Sequence, residues 1–444
     1  MVRPIAAHQM IDASARQGIP DFGLPIRGGE RKVYRFPAGS EQAKVVSFIT
    51  KAPRSRRTLM FGSVMHVWSD LFFALLVPLL PFIKEDMGLS FTEVGLLRSV
   101  FSGASAILQV PAGFLAESAG EFWLLILGNV WVSVGLVAMA LSPAFLVLVA
   151  ASRAGGLGGG TQHPLASSMV SRAYDDKGRA TAVGTVNFAG DLGKMIAPLV
   201  AGLLAVSMGW RTTFMVVGLA GLAFMLASMF ARRAVDIGRP RSTATDSPDS
   251  LTVDDDSDSK MAGFVALSGV GLLDSATRTS ALVFLPFVME SKGMGPGQIS
   301  AMLFLLFGGG AIGKYVCGWL GDRMGTLSLV WATKGLTAAL LVASLFTPTL
   351  VMAPLVILIG IGLNGTSSVL YATVAEFVPP GRRARFYGFF YTTNEVGTVV
   401  APLAYGFVAD LFSLRTTMLA MGAATAAILP ASLTLRRHLE RAGF

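Results

Sequence analysis

Cysteine is almost absent: the single Cys317 among 444 residues excludes an internal disulfide and any cysteine-built metal cluster. Charge is scarce too. Asp, Glu, Lys and Arg make up 14% of the chain, where a soluble protein carries about a quarter. So few charges cannot clothe a water-exposed surface, which excludes an ordinary soluble fold. A Walker-type phosphate loop, a zinc-type ligand cluster and a nucleophile elbow are also missing, so neither self-powered transport by ATP hydrolysis nor enzymatic chemistry is expected. The run GGLGGG at 155–160 lacks a preceding strand and the spacing of a nucleotide loop. Residues 1–50 are polar and mixed, with no early apolar core, so no signal peptide is expected.

What the chain has is apolar length. Hydrophobic residues reach 53% and the mean hydropathy is +0.61. The 50 Gly and 21 Pro suit membrane helices. The net charge of +9 sits mainly in short gaps between apolar runs, a pattern of membrane topology rather than of a nucleic-acid face. Crossing a ~30 Å hydrocarbon layer takes about 20 residues. Twelve such stretches are predicted, at 60–84, 94–116, 122–141, 144–171, 179–206, 212–231, 261–290, 298–320, 326–346, 350–376, 384–410 and 416–435. All should be helices, because an isolated span must satisfy its own backbone. The basic clusters Arg54/Arg56/Arg57, Arg172/Lys177/Arg179, Arg382/Arg383/Arg385 and Arg436/Arg437/Arg441 fall on one side if the N-terminus is cytoplasmic. A multi-pass inner (plasma) membrane protein with both termini cytoplasmic is the expectation.

The chain is also internally repeated. Arg179-Ala180, Gly184, Gly193, Ala197-Pro198-Leu199, Gly202 and Arg211-Thr212-Thr213 recur as Arg383-Ala384, Gly388, Gly397, Ala401-Pro402-Leu403, Gly406 and Arg415-Thr416-Thr417, at a constant offset of 204. Gly113–Gly120 maps onto Gly318–Gly325 at an offset of 205. The fold class expected is therefore all-α integral membrane, with about twelve transmembrane helices in two pseudo-symmetric six-helix halves. The organisation is a polar extension at 1–58, one half at 59–231, a Ser-, Pro- and Asp-rich linker at 232–260, the other half at 261–435 and a tail at 436–444. Extension and linker lack the apolar content for a core and should be dispensable for transport.

From about residue 58 onward these features resemble the major facilitator superfamily. GWLGDRMG at 318–325 is close to that family's loop signature, Arg153 followed by GGLGGG resembles its fourth-helix motif, and the glycines and Ala-Pro of the fifth span resemble loosely its antiporter bend. The first-half loop departs from the signature, with Glu117 and Ser118 in place of Asp and Arg. His66-x-x-Ser-Asp70, LSFTEVGLL and His163-Pro164 with the run to Arg172 resemble more narrowly the fosmidomycin-resistance group of exporters. The resemblance implies alternating access around a central site, a gating clamp that includes Asp322 and Arg323, with Glu117 and Arg383 in the related loops, and export of a drug-like compound.

Ionisable groups inside spans are costly and so are usually functional or paired. The acids at mid-depth are Asp70, Asp191, Asp274 and Glu395; the bases are Arg153, Lys194, Arg278 and Lys314. Such a set suits a proton-coupled carrier. The offset of 204 superposes Asp191 on Glu395, so rocking halves could expose the two acids alternately. Asp191 could instead pair with Lys194 one turn on and merely hold its helix. Glu395 has no cation on its own helix and is expected to be the exchangeable acid. Arg153 could grip a carboxylate or phosphonate, or form an ion pair with Asp70 or Asp191. Asp274 and Arg278 at i, i+4 suggest a local salt bridge, and His66 with Asp70 either a proton path or a satisfied histidine. His163-Pro164 reads as a kink, and Lys314 and Lys334 as lysines that snorkel.

The expected function is secondary active transport, with proton-coupled export of a small polar or anionic compound. Uptake of an organic anion by symport is the alternative. A non-transporting sensor or scaffold of the same fold is the third reading. No cofactor, no metal and no nucleic-acid partner are expected; the partners are a small-molecule substrate, protons and lipid, and the protein is expected to be a monomer.

Overall fold

The computed structural model describes residues 54–174, 176–233, 235, 257–377 and 383–441, together with two short strands, β1 (Gly23–Pro25) and β2 (Arg31–Val33), that pair antiparallel. The rest of the N-terminal extension and most of the linker lie outside the described residues. The other regular elements described are helices joined by short turns: α1 (Arg54–Met87), α2 (Phe91–Ala119), α3 (Glu121–Ala140), α4 (Phe145–Gly159), α5 (Gln162–Ala173), α6 (Asp176–Ser228), α7 (Ser257–Ser291), α8 (Pro296–Met324), α9 (Thr326–Ala343), α10 (Met352–Phe377), α11 (Arg383–Leu411) and α12 (Leu414–Arg441), with two 3₁₀ turns.

Among the described residues, nine helical stretches are long and apolar enough to cross a membrane unaided. The other crossings have identifiable causes. The fourth span is broken into α4 and α5 because Pro164 lacks the N–H that Gly160 would receive one turn back. The fifth and sixth spans run together as α6, separated at Gly209, whose φ of 78° is accessible cheaply only to glycine. In α11, Thr392, Thr393, Asn394 and Glu395 interrupt the apolar run.

Chain direction sorts the helix ends into two sets. Arg54 and Arg441 lie at what is here termed the proximal end, and Phe91, Gly209 and Leu411 at the distal end. Buried side chains at the distal end form one core shared by both halves, from Leu75, Leu79 and Phe214 to Phe284, Val288 and Met421. At the proximal end each half has its own core: Phe61, Phe122 and Met169 in one, Phe264, Val374 and Phe390 in the other. The halves are thus packed together distally.

Small residues make that closure tight. A Cβ on Gly95 of α2 would strike the Pro402 backbone of α11, and one on Gly406 would strike Phe91. Phe91 also packs edge-on against Phe287 of α7, with ring centroids 5.2 Å apart. The distal contact is polar as well. Ser90 and Glu93 form a capping box at the start of α2, leaving the N–H groups of Phe91 and Thr92 to be satisfied from elsewhere. Asp410 of the other half accepts both, at 2.8 and 2.7 Å, and the Thr92 hydroxyl in addition.

Candidate functional site

Charged side chains gather at mid-depth in two groups. The first lies between α1, α5, α6 and α8. Lys194 bridges two carboxylates, Asp70 at 3.0 Å and Asp191 at 3.2 Å. Lys314 of the other half reaches both oxygens of Asp191, each at 2.7 Å. The result is an alternating chain, Asp70–Lys194–Asp191–Lys314, that crosses between the halves. Two histidines close its far end: His66 Nε2 and His163 Nδ1 are 3.0 Å apart, and each ring lies 3.6 Å from an oxygen of Asp70. His66 and Asp70 are buried, whereas the His163 side chain is 52% exposed, so the group is sealed on one side and open on the other. The helices approach closely because residue 190 is glycine: a Cβ there would collide with Asp70 Oδ2 and the His66 ring.

The second group lies between α2, α7, α9, α10 and α11. Asp274 is ion-paired with Lys334, which also donates to the Gly362 carbonyl at 3.3 Å. Arg278 donates to the Ser275 hydroxyl at 3.1 Å and shares a hydrogen bond with Tyr371. Glu395 lies in the field of Arg278 and of Arg98. Among the described residues, Glu395 has no ion pair within 4.0 Å, and Arg98 Nε and Nη1 are buried without a hydrogen-bond partner.

Several sequence expectations change here. Asp274 and Arg278 do not form the expected local bridge, because Lys334 offers Asp274 a closer cation. Lys334 does not snorkel. It is fully buried, eight residues into α9, or about 12 Å from the helix end, beyond a lysine's reach to water. Lys314 likewise turns inward to Asp191. The kink expected at His163-Pro164 is present, with the break just before it, and His163 in addition sits on Asp70. Arg153 is exposed and makes no ion pair among the described residues, so the structure does not bring it to Asp70, Asp191 or Glu395. Asp191 does pair with Lys194, and His66 with Asp70, as their spacing suggests. Of the loop residues, the side chains of Glu117, Asp322 and Arg383 lie outside the described residues, and the Arg323 guanidinium covers the Trp319 ring at 3.7 Å. Arg98 went unread in the sequence although it follows LSFTEVGLL directly.

His66, Asp70 and His163 offer one ligand atom each within 4.8 Å, as a metal site would. Lys194 already neutralises Asp70 there, so the donor set fits a hydrogen-bonded relay better than a divalent cation.

The comparisons with known proteins agree with this architecture. The Major Facilitator Superfamily profile matches residues 62–263 and 267–443. The "Fosmidomycin resistance protein" of Escherichia coli (strain K12) is 24% identical over 85% of this chain and 93% of its own. The "Hexuronate transporter" of Bacillus subtilis (strain 168) is 24% identical over 74% and 82%, and the "Cis,cis-muconate transport protein" of Acinetobacter baylyi 25% over 77% and 84%. In fold, a bacterial homolog of the human lysosomal transporter Spinster, in an inward-facing and occupied conformation, superposes with a TM-score of 0.76 at 16% identity, covering 88% of this chain and 99% of that one. Matching across both halves, with relatives that are transporters and not enzymes, the chain is a multi-pass membrane transporter and belongs to the major facilitator superfamily.

Proposed function

We propose that the protein is a secondary active, proton-coupled carrier of a small organic anion, working by alternating access in the inner membrane with its distal end facing outward. The observation that carries this reading is the charge chain Asp70–Lys194–Asp191–Lys314. Lys314 is its only member from the second half, so rocking the halves apart at this level must break the Asp191–Lys314 contact. Asp191 would then keep Lys194, and the His66–His163–Asp70 group offers a route by which a proton can reach the chain. An anionic cargo is supported by the balance of charge. Leaving aside the exposed Arg153, the buried and half-buried cations around mid-depth, Arg98, Lys194, Arg278, Lys314 and Lys334, outnumber Asp70, Asp191, Asp274 and Glu395 by one. Relatives named for hexuronate and muconate carry such anions, while the fosmidomycin-resistance relative favours export.

The test is transport by the purified protein in proteoliposomes, with fosmidomycin, hexuronate and muconate offered under a pH gradient of either polarity. Wild type is expected to accumulate one of these against its gradient only when a pH difference is imposed. Asp191→Asn is expected to lose that accumulation. Accumulation that ignores the pH gradient in wild type would refute proton coupling.

A further inference from the structure

Three of the four carboxylates at mid-depth are locked in direct ion pairs: Asp70 to Lys194, Asp191 to Lys194 and Lys314, and Asp274 to Lys334. Every lysine at that depth is used in doing so. Glu395 is the exception among the acids. Arg98 and Arg278 are the exceptions among the cations that are not exposed, since Arg278 has neutral hydroxyl partners and Arg98 leaves two buried donors unmatched. A buried guanidinium donor without an acceptor is costly, so its persistence calls for a use.

The helix faces locate Arg98. On α2, Gly95 and Gly103 face α11, touching Pro402 and Val399. Phe101 packs at a tilt against Phe73 of α1, with centroids 4.6 Å apart. At about 100° per residue, Arg98 falls between these two strips and so points into the angle between α1 and α11. α7 meets α11 at the level of Glu395: the Thr279 and Thr398 hydroxyls lie 3.4 Å apart, and a Cβ on Gly397 would strike the backbone of Leu272 and Ala276. Glu395 lies in the field of Arg98 and of Arg278, and Tyr371 of α10 is beside Arg278. Asp274 also acts on Arg278 and Tyr371, but Lys334 occupies it.

We propose that Arg98 and Arg278 together seat the acidic group of the substrate, a carboxylate, phosphonate or sulfonate, and that Glu395 is the internal acid competing for the same two cations, so that anion and proton load together and cross in the same direction. This rests on the reading of the chain as a proton-coupled anion carrier and sets the sign of its coupling. With Glu395 ionised, the cluster Arg98, Arg278, Lys334, Asp274 and Glu395 carries a single positive charge, and part of each guanidinium's field is spent on Glu395. A proton on Glu395 frees both arginines for the incoming anion. The bound anion in turn takes up the field of both guanidinium groups, which favours a proton on Glu395. Exchange of a proton for an anion at this site would require the opposite sign. Coupling is therefore symport, and uptake of an anion follows wherever the proton gradient points inward.

The experiment uses the full-length protein in detergent, in weak buffer with a pH indicator, titrated at fixed ionic strength with muconate, hexuronate, sulfoacetate and sulfate against chloride. Binding is read by stabilisation against thermal unfolding. Wild type is expected to bind at least one of these anions above chloride, to take up protons as it binds, and to bind up to about tenfold more tightly per pH unit of acidification. Arg98→Gln should weaken binding by about 10- to 100-fold, with Arg98→Lys in between. Glu395→Gln should bind at least as tightly as wild type, with no pH dependence and no proton uptake. Where Arg98→Gln fails to fold, the Glu395→Gln result decides. Proton release on binding, pH-independent binding by wild type, unaltered binding by Arg98→Gln, or no anion distinguished from chloride would each overturn the site. If binding and proton uptake hold while proteoliposomes show no pH-driven accumulation, the carrier reading falls and the anion site stands.

Discussion

Asp410→Asn tests the distal closure directly. The four leading N–H groups of α2 are divided between two sources: Ser90 and Glu93 cap each other within the helix, and Asp410 of the opposite half takes Phe91 and Thr92. Asparagine keeps one oxygen but loses the charge and the second acceptor. A hydrogen bond to a charged group contributes about 1.5–3 kcal/mol, and a carboxylate at an exposed helix start adds about 0.3–1 kcal/mol. Because Asp410 is exposed, water recovers part of both, leaving about 1–2 kcal/mol that acts only while the distal end is closed. That corresponds to a roughly 5- to 30-fold larger distal-open population. The assay is the alkylation rate of a single cysteine placed near the Phe91 end in a Cys317→Ser background, because the rate scales with the open fraction even when that fraction is small. A 5- to 30-fold faster rate in Asp410→Asn is expected. A rate within about twofold of the parent, with equal folding, would refute the idea that this carboxylate holds the halves together.

Two further predictions concern buried contacts. Lys334→Met leaves Asp274 buried without its cation and should cost about 3–5 kcal/mol, visible as a lower melting temperature in detergent. Adding Asp274→Asn should recover most of the loss, and a single Lys334→Met variant as stable as wild type would contradict the pairing. Gly190→Ala drives a methyl group into Asp70 Oδ2 and the His66 ring, where overpacking costs about 1–3 kcal/mol. Transport should fall along with stability, and wild-type behaviour on both measures would mean that the histidine–aspartate group need not be held so closely.

The fold was legible because its causes are repetitive and local. Apolar runs of membrane length, basic clusters on alternate gaps and a constant repeat offset each point to the same two-half bundle. What resisted was partnership. His66 and His163 are 97 residues apart, and nothing in either segment marks them as neighbours; only the packing of α1 on α5 does. Asp274 had an attractive partner at i, i+4, but helical spacing cannot show that α9 offers a lysine closer still. Arg98 is different, since its signal was present. The Ser90–Glu93 capping box fixes the start of α2, which places Arg98 about 10 Å along the helix, too deep to be counted with the loop. Arg153 shows the opposite error: its depth was read correctly enough, but depth does not say which face a side chain takes.

The repeat itself explains why the two acids differ. It superposes Asp191 on Glu395, yet Lys194 falls on Thr398, so one copy lost its intrahelical cation or the other gained it. Each acid has a cross-half cation on an equivalent helix, because α2 stands to α11 as α8 stands to the first part of α6. The heights are not equivalent. Under the offset of 205, Lys314 corresponds to Gln109, and Arg98 to Leu303. The cation facing Glu395 is therefore displaced roughly 16 Å along its helix from where strict symmetry would put it. Lys314, at its own height, closes on Asp191 at 2.7 Å. Arg98, at the shifted height, reaches Glu395 only through its field. A symmetric pair of contacts would neutralise both acids and leave nothing for a substrate's charge to do. On the reading proposed above, breaking the symmetry on one side leaves a fixed ion pair to be made and broken by the rocking halves, and a loose acid between two arginines to take the proton and the anion.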